Sequence, residues 1–130
     1  MRIINAAYLL MLGTLVSGCV SSNIDYTVSL DENYGNEIFF ISSLERHHNA
    51  YAKCIFEHSY IQLAILEKSI NKSRTVEICN KEKENYYKSV YFSSFKGRNN
   101  VNKEFRHNTA RDALMNTTNR GFAAAKESAK

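Results

Sequence analysis

The residues of this sequence with the most distinctive chemistry are its three cysteines and four histidines. His47, Cys54 and His58 would project from one side of a helix, and imidazole and thiolate groups are ligands of transition metals. Ligands on one helix usually stand three or four residues apart, and only Cys54 and His58 meet that spacing. A half-buried histidine beside a disulfide accounts for the same pattern. The sequence therefore predicts no metal site and no cofactor.

Nucleophilic catalysis has equally little support. Neither Cys54 nor Cys79 has the flanking residues of a cysteine enzyme, and no serine lies in a Gly-x-Ser-x-Gly turn. Glu82 and Glu84 alternate with lysines, which is typical of a solvated helix face. We therefore expect a protein that is not an enzyme and has no catalytic residues.

The beginning of the chain has the three parts of an export signal. Arg2 gives a positive start, an apolar run covers residues 6–16, and small residues follow at positions 17 and 18. The run is shorter than the roughly 20 residues that a membrane-spanning helix needs. Directly after it comes Cys19, and residues 15–19, with the sequence LVSGC, resemble the lipobox of bacterial lipoproteins.

The resemblance implies that residues 1–18 are removed as a signal peptide and that Cys19 is lipidated on its thiol and its new amino terminus. Several acyl chains hold a protein on a membrane stably, whereas one holds it only marginally. Residues 20–22 contain no Asp, which in lipoproteins of two-membrane bacteria usually permits transfer to the outer membrane. We expect the periplasmic face of that membrane, or the cell surface in a single-membrane bacterium.

With Cys19 lipidated, Cys54 and Cys79 remain as a pair in an oxidising compartment, which favours a disulfide worth about 3 kcal/mol. A straight helical hairpin opposes this pairing. With the turn near Asn71, Cys54 lies about 26 Å from it and Cys79 about 11 Å, whereas bonded cysteines need Cα atoms within about 7 Å. We favour a first helix that ends near residues 59–63 and a chain that folds back. Pairing between molecules and free thiols are the alternatives.

Charge and turn-forming residues limit the classes of protein. Without residues 1–18 the chain has 112 residues, with 16 Lys and Arg against 13 Asp and Glu. Because these charges are interleaved, we expect no nucleic-acid binding. The sequence has no Pro, and its only glycines after residue 35 are Gly97 and Gly121, which favours long helices.

The elements that must position these residues are helices. Residues 19–36 are polar and predict a flexible lipidated tether, and residues 37–130 predict the helical domain. Helices are expected over residues 38–72, over 74–96 after a cap at Ser73 or Thr75, and from Asn100 or Asn102 onward, with Gly97 ending the second. The fold class is all-α, a small antiparallel bundle of about three helices. Periodicity places these residues inward: Phe40, Leu44, Tyr51, Ile55, Ile65, Leu66, Val76, Cys79, Tyr86, Tyr87, Val90, Tyr91, Phe105, Ala110, Leu114, Phe122 and Ala125.

The second helix has more aromatic residues than one buried face requires. We expect part of this set to be exposed as a partner surface: Tyr86, Tyr87, Tyr91 and Phe95. The sequence thus predicts an envelope-anchored lipoprotein that binds a protein partner, as an accessory or scaffold of a larger envelope complex. The alternative is a periplasmic inhibitor or protective binder of a wall-degrading or toxin enzyme.

Overall fold

A computed structural model of the chain describes residues 24–30, 37–94 and 102–130. Within them the backbone is helical apart from residues 24–30 and the connections between helices. The helices are α1 Glu37–Ser42, α2 Leu44–Tyr60, α3 Lys72–Ile78, α4 Asn80–Ser93 and α5 Lys103–Ser128. Helix α2 continues into a single π-helical turn, Ile61–Ile65. Cys19, Phe95 and Gly97 lie outside the described residues.

Helices α2, α4 and α5 form the bundle, and α1 packs against α4. Helix α4 runs antiparallel to α2, because Cys79 at its start is bonded to Cys54 while Tyr86, farther along, stacks near Tyr51. The predicted all-α, antiparallel bundle of about three helices is confirmed.

Helix α5 lies parallel to α2 and antiparallel to α4. The Tyr51 hydroxyl hydrogen-bonds Thr118 across 2.6 Å, and one turn later Ile55 meets Gly121. A Cβ atom added at Gly121 would lie 2.5 Å from Ile55 Cγ2. This glycine therefore permits the close approach of the two helices.

The corner between α2 and α3 explains how the disulfide forms. Helix α2 ends at Tyr60, the π-helical turn continues it to Ile65, and the chain then folds back, so the Cα atoms of Cys54 and Cys79 lie 5.9 Å apart. Gln62 fixes the returning chain: its Nε2 donates to the His58 carbonyl (2.9 Å) and to Thr75 Oγ1 (2.8 Å). The disulfide within the chain is confirmed, and the chain folds back as expected, although the helical backbone ends at Ile65 and not within residues 59–63.

The caps and breaks of the helices differ partly from the prediction. Asn71, rather than Ser73 or Thr75, caps α3 by accepting a hydrogen bond from the Arg74 N–H. Asn102 caps α5 as expected. The predicted second helix is divided at Cys79 into α3 and α4, and the predicted first helix is interrupted at residue 43.

Residues 24–30, part of the predicted tether 19–36, pack against the bundle. This extended segment lies on the bundle with Val28 buried and with Ile24, Tyr26 and Leu30 partly buried against the core. These four side chains alternate with polar ones, so an extended chain turns all four toward the helices. Lys83 also reaches the carbonyl of Asp25 at 3.5 Å.

Three residues predicted to face inward are exposed. Ile65 and Leu66 belong to the corner after the end of α2, where no helix covers them, and Phe105 lies in the first turn of α5. The apolar periodicity of the sequence continues past the end of α2, into a part of the chain where Ile65 and Leu66 are exposed. The other predicted inward residues are buried or partly buried.

Candidate functional site

The predicted aromatic partner surface is wrong for the residues that the structure describes. Tyr86, Tyr87 and Tyr91 are buried in the bundle core, and Phe95 lies outside the described residues. The cause is the position of α4, which packs against α1, α2 and α5 at once. A helix surrounded in this way needs large residues on more than one face, so the aromatic excess indicates burial.

The buried tyrosines are held by hydrogen bonds. Tyr51 donates to Thr118, which donates in turn to the Leu114 carbonyl, and burial raises the pKa of Tyr51 well above its usual range. The Tyr87 hydroxyl hydrogen-bonds Nδ1 of His107, and burial raises the pKa of this tyrosine too. Both hydroxyls therefore stay protonated and structural near neutral pH.

Two histidines lie inside the aromatic packing. His47 is buried against the Phe39 and Phe40 rings, with centroids at 5.7 and 5.9 Å. Burial, and then the charge of Arg46, lower the pKa of His47. Burial, and then neighbouring cations, lower the pKa of His107. The lowered pKa favours the neutral form of both rings. The packing of His47 against Phe39 and Phe40 also separates it from His58.

A groove opens between α2 and α5. Its floor and walls are apolar or small, its volume is about 360 Å³, and it is partly open to solvent. That volume is within the range of pockets that hold small ligands or a bulky side chain. We call this feature the α2–α5 groove; its lining residues are His48, Ala52, Lys53, Phe56, Thr117, Arg120, Gly121 and Ala124.

The α2–α5 groove carries basic groups around an apolar centre. Lys53 and Arg120 are exposed at its edges, and His48 lines one end. Lys53 has Glu57 as a neighbour at 3.7 Å, but both side chains are more than half exposed, so solvent screens the pair. Among the described residues no carboxylate forms an ion pair with Arg120. The arrangement suits a ligand that combines an apolar group with a negative charge.

The close approach at Gly121 creates this groove. Gly121 has no side chain, and Ala52 and Ala124 have small ones, so small residues form the floor of the groove. Phe56 is the largest apolar side chain among the lining residues. Reasoning from the sequence missed this groove. The signal was the small residue at position 124, one turn from Gly121 on the same helix face.

A second cluster lies at the corner of the bundle. One ligand-type atom each of Cys54, His58 and Cys79 lies within 4.8 Å of the others. The sequence grouped Cys54 with His58 from their spacing and Cys54 with Cys79 as a disulfide, but it did not combine the three residues into one cluster. The fold-back of the chain brings Cys79 to them, and this topology is not encoded in the spacing.

None of the described helices combines the length and the apolar composition that crossing a membrane requires. Comparisons with protein-family models, curated proteins and solved structures found no match to this chain. Inference about function therefore starts from the sequence of residues 15–19 and from the surfaces of the bundle.

Proposed function

We propose that this protein is a bacterial envelope lipoprotein, anchored through Cys19, whose helical bundle binds a protein partner as an accessory or scaffold of a larger envelope complex. The α2–α5 groove is the observation that carries the proposal. It offers Phe56 and a small-residue floor to an apolar side chain, and it offers Arg120 and Lys53 to a neighbouring acidic group. An acidic segment with one bulky apolar side chain is the complementary partner surface.

The Cys54–Cys79 disulfide supports the proposed location in the bacterial envelope. Structural disulfides persist in oxidising environments such as the bacterial periplasm and are rare in the cytosol. This agrees with export directed by residues 1–18 and with the lipobox resemblance of residues 15–19.

The ordered segment 24–30 supports a partner close to the membrane. Only four residues, 20–23, lie between Cys19 and Ile24, which packs on the bundle. The five Cα-to-Cα steps from Cys19 to Ile24 span at most about 18 Å when extended. A lipid on Cys19 would therefore keep the bundle beside the headgroups, within reach of a membrane complex and with little freedom to search the space beyond.

Lipidation is tested by substituting Cys19 in the full chain. Wild-type protein should incorporate labelled fatty acid and sediment with membranes, whereas Cys19→Ala should lose both properties. A Cys19→Ala protein that still incorporates the label and stays with the membrane would contradict the anchor.

Partner binding is tested by photo-crosslinking in cells. A photoreactive amino acid at Ala124 lies in the α2–α5 groove, and the same group at the exposed Ala123 lies outside it. We expect a discrete adduct with a membrane-complex protein from position 124 and none from position 123. Equal adducts from both positions, or no adduct from either, would contradict partner binding at the α2–α5 groove. An adduct with a soluble wall-degrading or toxin enzyme would instead favour the inhibitor.

A charge reversal at Arg120 tests whether the basic edge of the α2–α5 groove selects an acidic partner. Arg120→Glu should abolish the adduct from position 124, whereas Lys126→Glu, an equal change on an exposed part of the same helix, should preserve it. The disulfide and the helical circular dichroism of both variants should match the wild type. An adduct that survives Arg120→Glu would show that the basic edge does not select the partner.

A further inference from the structure

The corner cluster has two alternative bonding states available to it. Cys54 and His58 stand four residues apart on α2, so both project from the same side of that helix, and Cys79 lies between α3 and α4. Their ligand-type atoms lie within 4.8 Å of one another. Cys54 and His58 are partly exposed, so the cluster is open to an ion from solvent.

The backbone distances suit both states. The Cα separation of 5.9 Å permits the disulfide. Two thiolates bound to one tetrahedral zinc ion at about 2.3 Å lie about 3.7 Å apart. Rotation about the Cα–Cβ bonds of the two cysteines can provide that separation without moving the helices. The imidazole of His58 is already close enough to complete a set of three ligands.

The His58 ring is available for this role. Among the described residues its imidazole makes no hydrogen bond, while its backbone carbonyl accepts from Gln62 and so fixes the adjacent turn. Cys79 is fully buried, and its position is set by the corner. The hydrogen bonds of Gln62 to Thr75 and Asn71 constrain the corner in addition to the disulfide.

We propose that the dithiol form of this protein binds one zinc ion through Cys54, Cys79 and His58, with a water molecule in the fourth position. The disulfide and the metal site are then mutually exclusive states of one corner. Two thiolates and one imidazole with an open position form a known type of zinc coordination, and soft thiolate ligands favour zinc over magnesium or calcium. This inference does not depend on the α2–α5 groove or on the lipid.

The interconversion is balanced by a dithiol reductant. Two electrons and two protons pass from the dithiol to the Cys54–Cys79 bond, which breaks to give two thiols, while the reductant closes to its own disulfide. Zinc then displaces the two thiol protons, which are released to solvent, and His58 binds through a neutral ring nitrogen.

Cobalt(II) replaces zinc as a spectroscopic probe. The sample is the full chain with Cys19→Ser, which removes the third thiol, kept in detergent without oxygen. A phosphine reduces the disulfide to two thiols and takes up an oxygen atom from water. Titration with Co²⁺ should produce thiolate-to-cobalt charge-transfer absorption together with the visible bands of a tetrahedral site. Zinc should remove both, and the oxidised protein should show neither.

The effect of removing His58 distinguishes a three-ligand site from metal binding by the two thiols alone. His58→Ala should weaken cobalt binding by at least about tenfold, since even partners of metal ligands contribute that much. Glu57→Ala, at the exposed neighbouring position, should bind as the parent does. Both variants retain the disulfide when oxidised, so their folding can be compared before reduction by circular dichroism.

Three results would overturn the proposal. The first is a reduced protein without thiolate-to-cobalt absorption. The second is equal affinity in His58→Ala and Glu57→Ala. The third is absorption that develops while the helical signal stays below that of the oxidised protein, because the metal would then be bound by an unfolded chain.

Discussion

The interior of the bundle and the corner between α2 and α3 are held together by different forces. The interior is a continuous set of apolar and aromatic side chains, centred on Tyr51, Ile55, Tyr87 and Leu114, all fully buried. The corner has the disulfide and the hydrogen bonds of Gln62, while Ile61, Ile65 and Leu66 remain exposed there. Non-specific burial stabilises one region, and a few specific bonds define the other.

This difference affects how each region tolerates substitution. In the interior the loss of any large side chain leaves a cavity, so the cost is spread over many positions. At the corner most side chains are replaceable, and the cost is concentrated in Cys54, Gln62 and Cys79. The following predictions test this contrast, from the largest expected effect to the smallest.

Two isoleucines on consecutive parts of the same helix give the sharpest test. Ile55→Ala should lower the free energy of unfolding by about 2–5 kcal/mol, because Ile55 is fully buried. Ile61→Ala should lower it by less than about 0.5 kcal/mol, because Ile61 is 40% exposed. Urea unfolding of both proteins measures the difference. Similar losses at the two positions would remove the distinction between interior and corner.

The disulfide should contribute most of the corner's stability. The double variant Cys54→Ser, Cys79→Ser opens a link between residues 25 positions apart and should lose about 3 kcal/mol. Thermal unfolding without reductant measures this effect. If the double variant melted at the wild-type temperature, hydrogen bonding alone would be sufficient to hold the fold-back.

Gln62→Ala should have an intermediate effect of about 1–2 kcal/mol. The change removes the Gln62 side chain from Thr75 and from the Asn71 N–H, which donates to Gln62 Oε1 at 2.7 Å. Hydrogen exchange should show faster opening of α3 with little change in α5. Uniform acceleration through the whole bundle would indicate instead that the corner does not open as a separate unit.

The smallest effect concerns pH and the interior pair Tyr87 and His107. Burial, and then cations led by Arg111, lower the pKa of His107 in the folded state. The unfolded chain therefore binds the proton first, and the folded state loses stability as the pH falls below about 6.5. Thermal melts at neutral and acidic pH should show a smaller acid-induced decrease in His107→Gln. An unchanged decrease would exclude His107 as a contributor.

Sequence patterns predicted the interior better than the corner for a physical reason. Apolar periodicity reports which residues leave water, and it identified Tyr51, Ile55 and Leu114 correctly. It does not report where a helix stops. Gln62 holds the returning chain through hydrogen bonds to residues as far as 13 positions away, which periodicity does not report, and the exposed Ile65 was therefore misplaced.

The candidate sites show the same limit. The i,i+4 spacing of Cys54 and His58 was visible, but their approach to Cys79 depends on the fold-back. The α2–α5 groove depends on which helices become neighbours, which composition does not reveal. By contrast, residues 24–30 had a readable signal: Ile24, Tyr26, Val28 and Leu30 alternate with polar residues, a period of two that is typical of extended chain.

The packing of residues 24–30 also determines how the protein would respond to mechanical load. A pull on the proposed lipid at Cys19 would be applied first to Ile24, Tyr26 and Val28, which have no helix of their own to distribute it. The segment would peel from the bundle one side chain at a time, while the Cys54–Cys79 link limited extension farther along the chain. Such a pull would thus lengthen the attachment before it unfolded the bundle.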